Sequence, residues 1–168
     1  MQKVFDLTLK IGKIPVFSLP HIQPTIISKV EQCKKFNDYV EKFNHLEPGV
    51  EVEKIEILHV EMFGQNVGFI TMKAFTTKDG YRLPNYVFMR GHAVGILMFV
   101  NNKVLLVEQY RVPVQETRLE APAGMIDESG DFMGVAAAEI LEETSIKITK
   151  DQLIPLGSYY CSPGGSDE

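Results

Sequence analysis

The chain has 168 residues, 45% of them hydrophobic, and its formal net charge is −5 at pH 7. That length suits one medium domain or two small ones, and the acidic balance argues against nucleic acid or an anionic membrane as a partner, because both select basic faces. No run approaches the roughly 20 apolar residues of a membrane span, and neither Cys33 nor Cys161 belongs to a CxxC zinc or redox motif. We therefore expect a soluble, cytoplasmic protein; an organelle location after removal of a transit peptide stays open as the alternative.

The N-terminal region has a weak alternation of apolar residues at first and then a strong helical spacing of apolar residues. Residues 1–27 carry three prolines and alternate only weakly, which predicts an irregular or short-stranded lead-in. Ser28 and Glu31 form a capping-box pattern, and apolar residues recur at helical spacing from there to Phe43. We predict one amphipathic helix of about four turns that begins at Ser28 and serves packing rather than chemistry.

Period-two patterns dominate from Val52 to Met89. Three such runs are separated by turn residues, and Asp79-Gly80 is the clearest hairpin signal. Three antiparallel strands are therefore predicted. Together with the preceding helix they are expected to form a small antiparallel β module over residues 1–90.

A second sheet is predicted to begin at His92. HAVGILMFV is too continuously apolar for a half-exposed strand, Asn101-Asn102 is a candidate two-residue turn, and KVLLVEQYR returns beside it. RLEAPAG is predicted as a short strand, a helix around Glu139 follows, and LIPLGSYY is predicted as a further strand. Residues 91–168 should thus form a mixed module, and the fold class is α/β of the α+β kind.

The helix in GMIDESGDFMGVAAAEILEETSI concentrates acidic side chains on one face. Glu139, Glu142 and Glu143 fall within an arc of about 100°, and a solvated surface face is the simpler interpretation. However, like charges at these spacings repel by a few tenths of a kcal/mol per pair, and clustered oxygen ligands suit a hard cation such as Mg²⁺. Gly124 allows a sharp turn before the helix, which leaves the Ala123 carbonyl free as a further oxygen ligand.

This stretch resembles the Nudix box, whose form is Gx5Ex7REUxEExGU with U an aliphatic residue. With the first glycine at Gly124, five later positions agree with the box: Glu139, Ile140, Glu142, Glu143 and Ile146. Three positions depart from it, with Gly130 for the first glutamate, Ala138 for the arginine and Ser145 for the last glycine. In the family the retained glutamates bind metal, and the arginine orients them through a salt bridge. The resemblance therefore implies a metal site without its usual arginine.

The surrounding sequence resembles the ADP-ribose and ADP-sugar pyrophosphatase branch of the Nudix family, particularly plant-type ADP-sugar diphosphatases. The resemblance extends over about residues 50 to 168 and includes HVEMFGQNVGFITMKAF, YVFMRGHAVGILMFV, KVLLVEQYRVPV, LEAPAGMID and SPGGSDE. It implies a Nudix α/β/α sandwich with a mixed sheet, preceded by a β domain that pairs two subunits of a homodimer. It also implies that further strands and a closing helix follow residue 168, so the Nudix domain is expected to be incomplete in this chain.

In that branch, divalent cations assist hydrolysis of the pyrophosphate in a nucleoside diphosphate sugar. By resemblance, Glu139 and Glu143 would bridge Mg²⁺ or Mn²⁺, and the Ala123 carbonyl would be a neutral ligand. Glu142 would be a further ligand or water contact and is the candidate catalytic residue. No general base is assigned, because the family's later carboxylate would lie beyond Glu168.

Three further residues are candidates for substrate binding. Arg111 matches the phosphate-contacting arginine of the family, and a guanidinium suits bidentate phosphate binding; a surface salt bridge is its alternative. Met125 could line the adenosine or sugar side or simply fill the core, and Glu120 could orient the site or be a surface strand residue. The alternative for the whole chain is a Nudix-fold module that binds a nucleotide-sugar or a protein partner without hydrolysis.

Overall fold

The computed structural model describes residues 1–126, 131–162 and 164–165. It divides into two compact units, one formed by residues 1–91 with the described residues from Tyr160 onward, and the other by residues 92–159. No helix in these described ranges is long and apolar enough to cross a membrane. The mixture of helices and mostly strands confirms the predicted α+β class.

The first unit is built on a six-stranded sheet in the order β1-β2-β3-β4-β5, with β6 also paired to β4. Its strands are β1 (Gln2–Leu9), β2 (Gly12–Ser18), β3 (Val50–Phe63), β4 (Asn66–Lys78), β5 (Tyr81–Arg82) and β6 (Tyr86–Met89). The pairs are antiparallel except β2 with β3, which is parallel. The predicted third strand is therefore two strands, β5 and β6.

Of the two structures predicted for the N-terminus, irregular chain or short strands, the structure has strands: β1 and β2 form an antiparallel hairpin with one register shift between Lys3 and Phe5. Pro15 lies opposite Asp6 in this hairpin, whereas pairing of β2 with β3 begins only at Val16. A proline has no N–H to donate, so it is tolerated in a strand where no ladder bond is required of it. Apolar and polar residues alternate only weakly here, so the sequence pattern did not distinguish the β1–β2 hairpin from irregular structure.

The single helix predicted from Ser28 is wrong in its start and its continuity. Two helices are present, α1 (Pro24–Gln32) and α2 (Lys34–Glu41), followed by a 3-10 turn over Lys42–His45. Proline at the first helical position starts α1 because its φ is preset for the helix. Ser28 donates its hydroxyl to the Pro24 carbonyl at 3.1 Å instead of capping, and Cys33 is extended and separates the helices.

The core of the first unit lies between these helices and the sheet. Its fully buried side chains come from the inward faces of β2, β3, β4 and β6 and from the sides of α1 and α2 that face the sheet. They are Val16, Val30, Phe36, Ile55, Ile57, Ile70, Met72 and Met89. The helices therefore serve packing, as predicted.

The second unit consists of three two-stranded ladders and one main helix. The strands are β7 (Ala93–Gly95), β8 (Met98–Val100), β9 (Lys103–Leu105), β10 (Val107–Arg111), β11 (Glu116–Glu120) and β12 (Ala123–Met125), and the helices are α3 (Phe132–Thr144) and a 3-10 turn over Lys150–Gln152. The pairs are β7 with β12, β8 with β9 and β10 with β11, all antiparallel. Asn101 and Asn102 have φ of 50° and 62°, which confirms the predicted two-residue turn.

Four strand predictions for this unit are wrong. KVLLVEQYR is divided into β9 and β10, and RLEAPAG is divided between the end of β11 and the start of β12. HAVGILMFV is not one buried strand, since it is divided into β7 and β8, and Leu97 and Phe99 are 53% and 66% exposed. LIPLGSYY forms no strand, and Ile154 and Leu156 are each 81% exposed. Two-stranded ladders bury little apolar surface. The core is correspondingly small, with Ile96, Ala136 and Ile140 buried beside an open apolar cavity of about 970 Å³.

Candidate metal and phosphate site

Helix α3 carries the three glutamates and has a defined beginning and end. Asp131 caps its first turn by accepting a hydrogen bond from the Gly134 amide at 2.9 Å, which satisfies one of the free donors at a helix start. Ser145 ends it in the left-handed conformation, with φ of 59°. The Nudix box has glycine at this position, so this chain uses a residue with a Cβ where glycine is favoured.

Glu143 is held between two strands. The Gln109 side-chain amide on β10 donates to its Oε1 at 2.8 Å, and the Ala123 backbone amide on β12 donates to its Oε2 at 3.2 Å. The glutamate is half-buried. Each carboxylate oxygen thus has one protein donor, and the direction of the carboxylate is defined by strands of two different ladders.

Glu139 lies against the backbone of Gly124. A Cβ atom at Gly124 would overlap the Glu139 carboxylate, so the close approach requires glycine at that position. Burial raises the pKa of Glu139, and the negative charges of Glu142 and Glu143 raise it further. Glu142 itself is exposed. The charged form of the half-buried Glu139 is therefore disfavoured in the folded protein.

The backbone of Ala123 faces the glutamates rather than the neighbouring strand. Pro122 accepts from the Ile96 amide at 2.8 Å, and Ile126 donates to the His92 carbonyl at 2.9 Å. Backbone groups alternate in direction along an antiparallel strand. The Ala123 amide and carbonyl consequently point away from β7, and the amide binds Glu143.

Arg111 and Glu120 form an ion pair on the β10–β11 hairpin. Arg111 Nε lies 3.1 Å and 3.0 Å from the two Glu120 carboxylate oxygens, and its Nη2 lies 2.5 Å from Oε2. These hydrogen bonds lower the pKa of Glu120 and raise that of Arg111. The charge of Glu143 also raises the pKa of Arg111, so the guanidinium lies within electrostatic range of the glutamate helix.

The remaining predicted residues fall in different places. Met125 is half-buried in β12 and pairs with Ala93. Gly130 and Glu168 lie outside the described residues. Gln109 was not predicted, although it lies two residues before Arg111 in β10 and therefore on the same face of the strand. The two-residue spacing between Gln109 and Arg111 is the sequence signal that could have identified Gln109 as a site residue.

The donor set fits a hard divalent cation by its chemistry. Glu139, Glu142, Glu143 and the Ala123 carbonyl offer only oxygen, the ligand type that Mg²⁺ requires, and the like charges beside Glu139 favour a positive ion among them. In the part of the chain that the structure describes, no three side chains of His, Cys, Asp or Glu lie close enough together to hold a metal ion by themselves. The individual ligand roles therefore stay predictions.

The β10–β11 hairpin carries Arg111 and Gln109, and helix α3 beside it carries three glutamates. Together they define a candidate phosphate and metal site of the Nudix type. No family model matches the chain. It is 38% identical over 133 residues to Nudix hydrolase 14, chloroplastic, of Arabidopsis thaliana, which covers 70% of this chain and 43% of that protein.

Two bacterial relatives extend the comparison. The ADP-ribose pyrophosphatase of Escherichia coli strain K12 is 31% identical over 126 residues, or 71% of this chain and 59% of that protein. The methanol dehydrogenase activator of Bacillus methanolicus is 38% identical over 77 residues, or 45% of this chain and 40% of that protein. The chain thus spans about half the length of the curated relatives it matches. The similarity to a protein named as a Nudix hydrolase and to one named as an ADP-ribose pyrophosphatase confirms the resemblance to the Nudix family seen in the sequence.

Proposed function

We propose that this protein hydrolyses the pyrophosphate bond of a nucleoside diphosphate sugar, ADP-ribose or an ADP-sugar, to AMP and a sugar phosphate, with Mg²⁺ or Mn²⁺ as cofactor. The observation that carries the proposal is the hydrogen bond of 2.8 Å from Gln109 to Glu143, because it joins β10, the strand that carries Arg111, to the helix that carries the glutamates. A cationic fork for phosphate and an acidic cluster for cations are the two elements that pyrophosphate cleavage needs.

Each residue has a defined task in this proposal. Glu139, Glu142 and Glu143, with the Ala123 carbonyl, would hold the cations, which when bound offset phosphate charge and acidify a water molecule. Arg111 would bind a phosphate oxygen, replacing or sharing its bonds to Glu120. Water adds to one phosphorus, the bridging P–O bond breaks, and the second phosphate leaves with its sugar or nucleoside. Met125 would lie on the nucleoside or sugar side.

The direct test is AMP release from ADP-ribose and from ADP-glucose, each with Mg²⁺ or Mn²⁺ and with EDTA. Glu143→Gln keeps the shape of the side chain but removes its charge, so we expect turnover to fall by at least about 100-fold, the upper range for lost metal support. Glu116→Gln is the matched control, because Glu116 pairs with Arg118 on the exposed part of the same hairpin. No AMP release from either substrate with either cation would reject the proposal.

The alternative is a Nudix-fold module that binds a nucleotide-sugar or a protein partner without hydrolysis. Ala138, exposed on α3 in the position of the box arginine, favours it. Binding of ADP-ribose in calorimetry, without AMP release under any cation condition, would identify this alternative.

We also propose that the first unit forms a homodimer. Exposed aromatic side chains support this, since Phe63 is 50% exposed and its ring lies 4.9 Å from that of Phe69, which in turn lies 5.3 Å from Phe88. Clustered exposed apolar surface is typical of association sites. Sedimentation equilibrium tests the proposal, with a monomer at micromolar concentration as the contradicting result.

A further inference from the structure

We propose that Gln109 is a positioning residue that holds Glu143 in its metal-binding orientation. It thereby replaces the box arginine, whose position is occupied by Ala138 in this chain. The inference rests on the proposed function only in so far as Glu143 binds a cation. It concerns how this chain keeps a metal site in order after losing the residue that the Nudix resemblance assigns to that task.

The geometry at Glu143 is that of a two-point clamp. Gln109 Nε2 lies 2.8 Å from Oε1, and the Ala123 amide lies 3.2 Å from Oε2. Rotation of the carboxylate would break both bonds, one to β10 and one to β12. An ionised carboxylate has about four lone-pair sites, so two donors leave acceptor capacity on both oxygens for a cation.

The chemistry of the donor also matters. Gln109 is neutral, so it orients Glu143 without offsetting its negative charge, whereas an arginine would form a salt bridge with it. The full charge of Glu143 is therefore available to a cation. Hydrogen-bond partners of metal-binding carboxylates typically contribute 10- to 100-fold to metal affinity.

Neighbouring residues do not provide the same support. The methyl side chain of Ala138 has no donor and is exposed on α3. Arg111, two residues from Gln109 on β10, directs its guanidinium to Glu120. Gln109 is thus the residue on this strand whose side chain joins the hairpin to the glutamate helix.

The test is Mn²⁺ affinity, measured by electron paramagnetic resonance of free Mn²⁺ on the purified protein without substrate. Gln109→Leu removes the amide and nearly keeps the volume, and we expect it to weaken Mn²⁺ binding by about 10- to 100-fold. Gln109→Asn, whose amide is withdrawn by one methylene, should also weaken it. Tyr110→Phe, on the same strand as Gln109, is the matched control, because it loses only a hydroxyl bond to Gln115 in the hairpin turn and should bind Mn²⁺ as the wild type does.

A rescue experiment separates positioning from a general structural role. Ala138→Arg restores the box arginine, and in the Gln109→Leu background it should recover most of the lost Mn²⁺ affinity, giving a strong coupling in the double-mutant cycle. Wild-type affinity in Gln109→Leu, or no recovery in the double variant, would overturn the inference. Thermal unfolding in EDTA checks that each variant is folded.

The two proposals fail in different ways. If the wild type binds Mn²⁺ and releases no AMP from either ADP-ribose or ADP-glucose, the proposed hydrolysis fails, while the effect of Gln109 on Mn²⁺ affinity still decides its role. If the wild type releases AMP and Gln109→Leu has unchanged Mn²⁺ affinity, only the positioning role fails. Absence of Mn²⁺ binding in the wild type would overturn both.

Discussion

The guanidinium of Arg111 donates hydrogen bonds from two nitrogens to the carboxylate of Glu120, with Nη2 2.5 Å from Oε2. Both side chains are partly exposed, 45% for Arg111 and 31% for Glu120. The negative charge of Glu143 also raises the pKa of Arg111. An exposed ion pair contributes little to stability, about 0 to 1 kcal/mol. In the proposed phosphate role of Arg111, the pair would hold the planar fork in one orientation.

Arg111→Lys tests this orientation. Lysine keeps the charge but loses the planar fork that binds phosphate through two parallel bonds, so we expect the KM for ADP-ribose to rise about tenfold, the value of one charge-assisted hydrogen bond. Steady-state kinetics measure it. Arg118→Lys, in the exposed pair with Glu116, is the control. Equal KM values in the two variants would contradict a phosphate role for Arg111.

Gly124→Ala tests the close approach of Glu139 to β12. The added methyl group would overlap the Glu139 carboxylate, so this side chain must move, and Mn²⁺ affinity should fall by about tenfold or more. Gly95→Ala is the matched control, because Gly95 lies opposite Ala123 in the same ladder and a Cβ there meets nothing within 4 Å. Similar Mn²⁺ affinities in the two variants would show that the position of Glu139 is unimportant for binding.

Glu139 should also make metal-free stability depend on pH. Its pKa is higher in the folded protein than in the unfolded chain, because of burial and then of the nearby charges of Glu142 and Glu143. The folded state therefore binds more protons, and stability falls as pH rises from the unfolded pKa through the folded one. Above that window the charged Glu139 is destabilising.

Glu139→Gln should consequently stabilise the metal-free protein at pH 7, on the order of 0.5 kcal/mol for two like-charge pairs. The gain should vanish below the unfolded pKa. Urea unfolding in EDTA at pH 7 and pH 4 measures both values. A loss of stability at pH 7 would contradict the assigned cause of the pKa shift. With saturating Mn²⁺ the sign should reverse, because a ligand that binds the folded state stabilises it.

Ser145→Gly should stabilise the second unit. Ser145 has φ of 59° at the end of α3, a conformation that costs an ordinary residue roughly 1 kcal/mol and glycine little. We expect a gain of about 0.5 to 1 kcal/mol in urea unfolding. Ser28→Gly is the opposite control, because Ser28 lies inside α1 and glycine there should cost about 0.5 kcal/mol or more. A destabilised Ser145→Gly would contradict the strain argument.

Local patterns were sufficient for several parts of the fold. The turn at Asn101-Asn102, the long antiparallel pair β3 and β4, and the helix that carries Glu139, Glu142 and Glu143 follow from residue spacing and turn chemistry, which act over a few neighbouring residues. The start of α1 at Pro24 also has a local signal, a proline at the first helical position, whereas the capping-box pattern at Ser28 misidentifies the start because Ser28 lies inside the helix.

Other features depend on which distant segments meet. The parallel pairing of β2 with β3 joins residues about 40 positions apart, and the bond from Gln109 to Glu143 spans 34 positions. Acidic spacing and oxygen chemistry in the sequence already indicated a cation site on one helix. The three-dimensional arrangement decided that Gln109 and the Ala123 amide hold Glu143 and that Arg111 faces Glu120, because a side-chain hydrogen bond needs its atoms within about 3.2 Å, and only chain folding sets that distance.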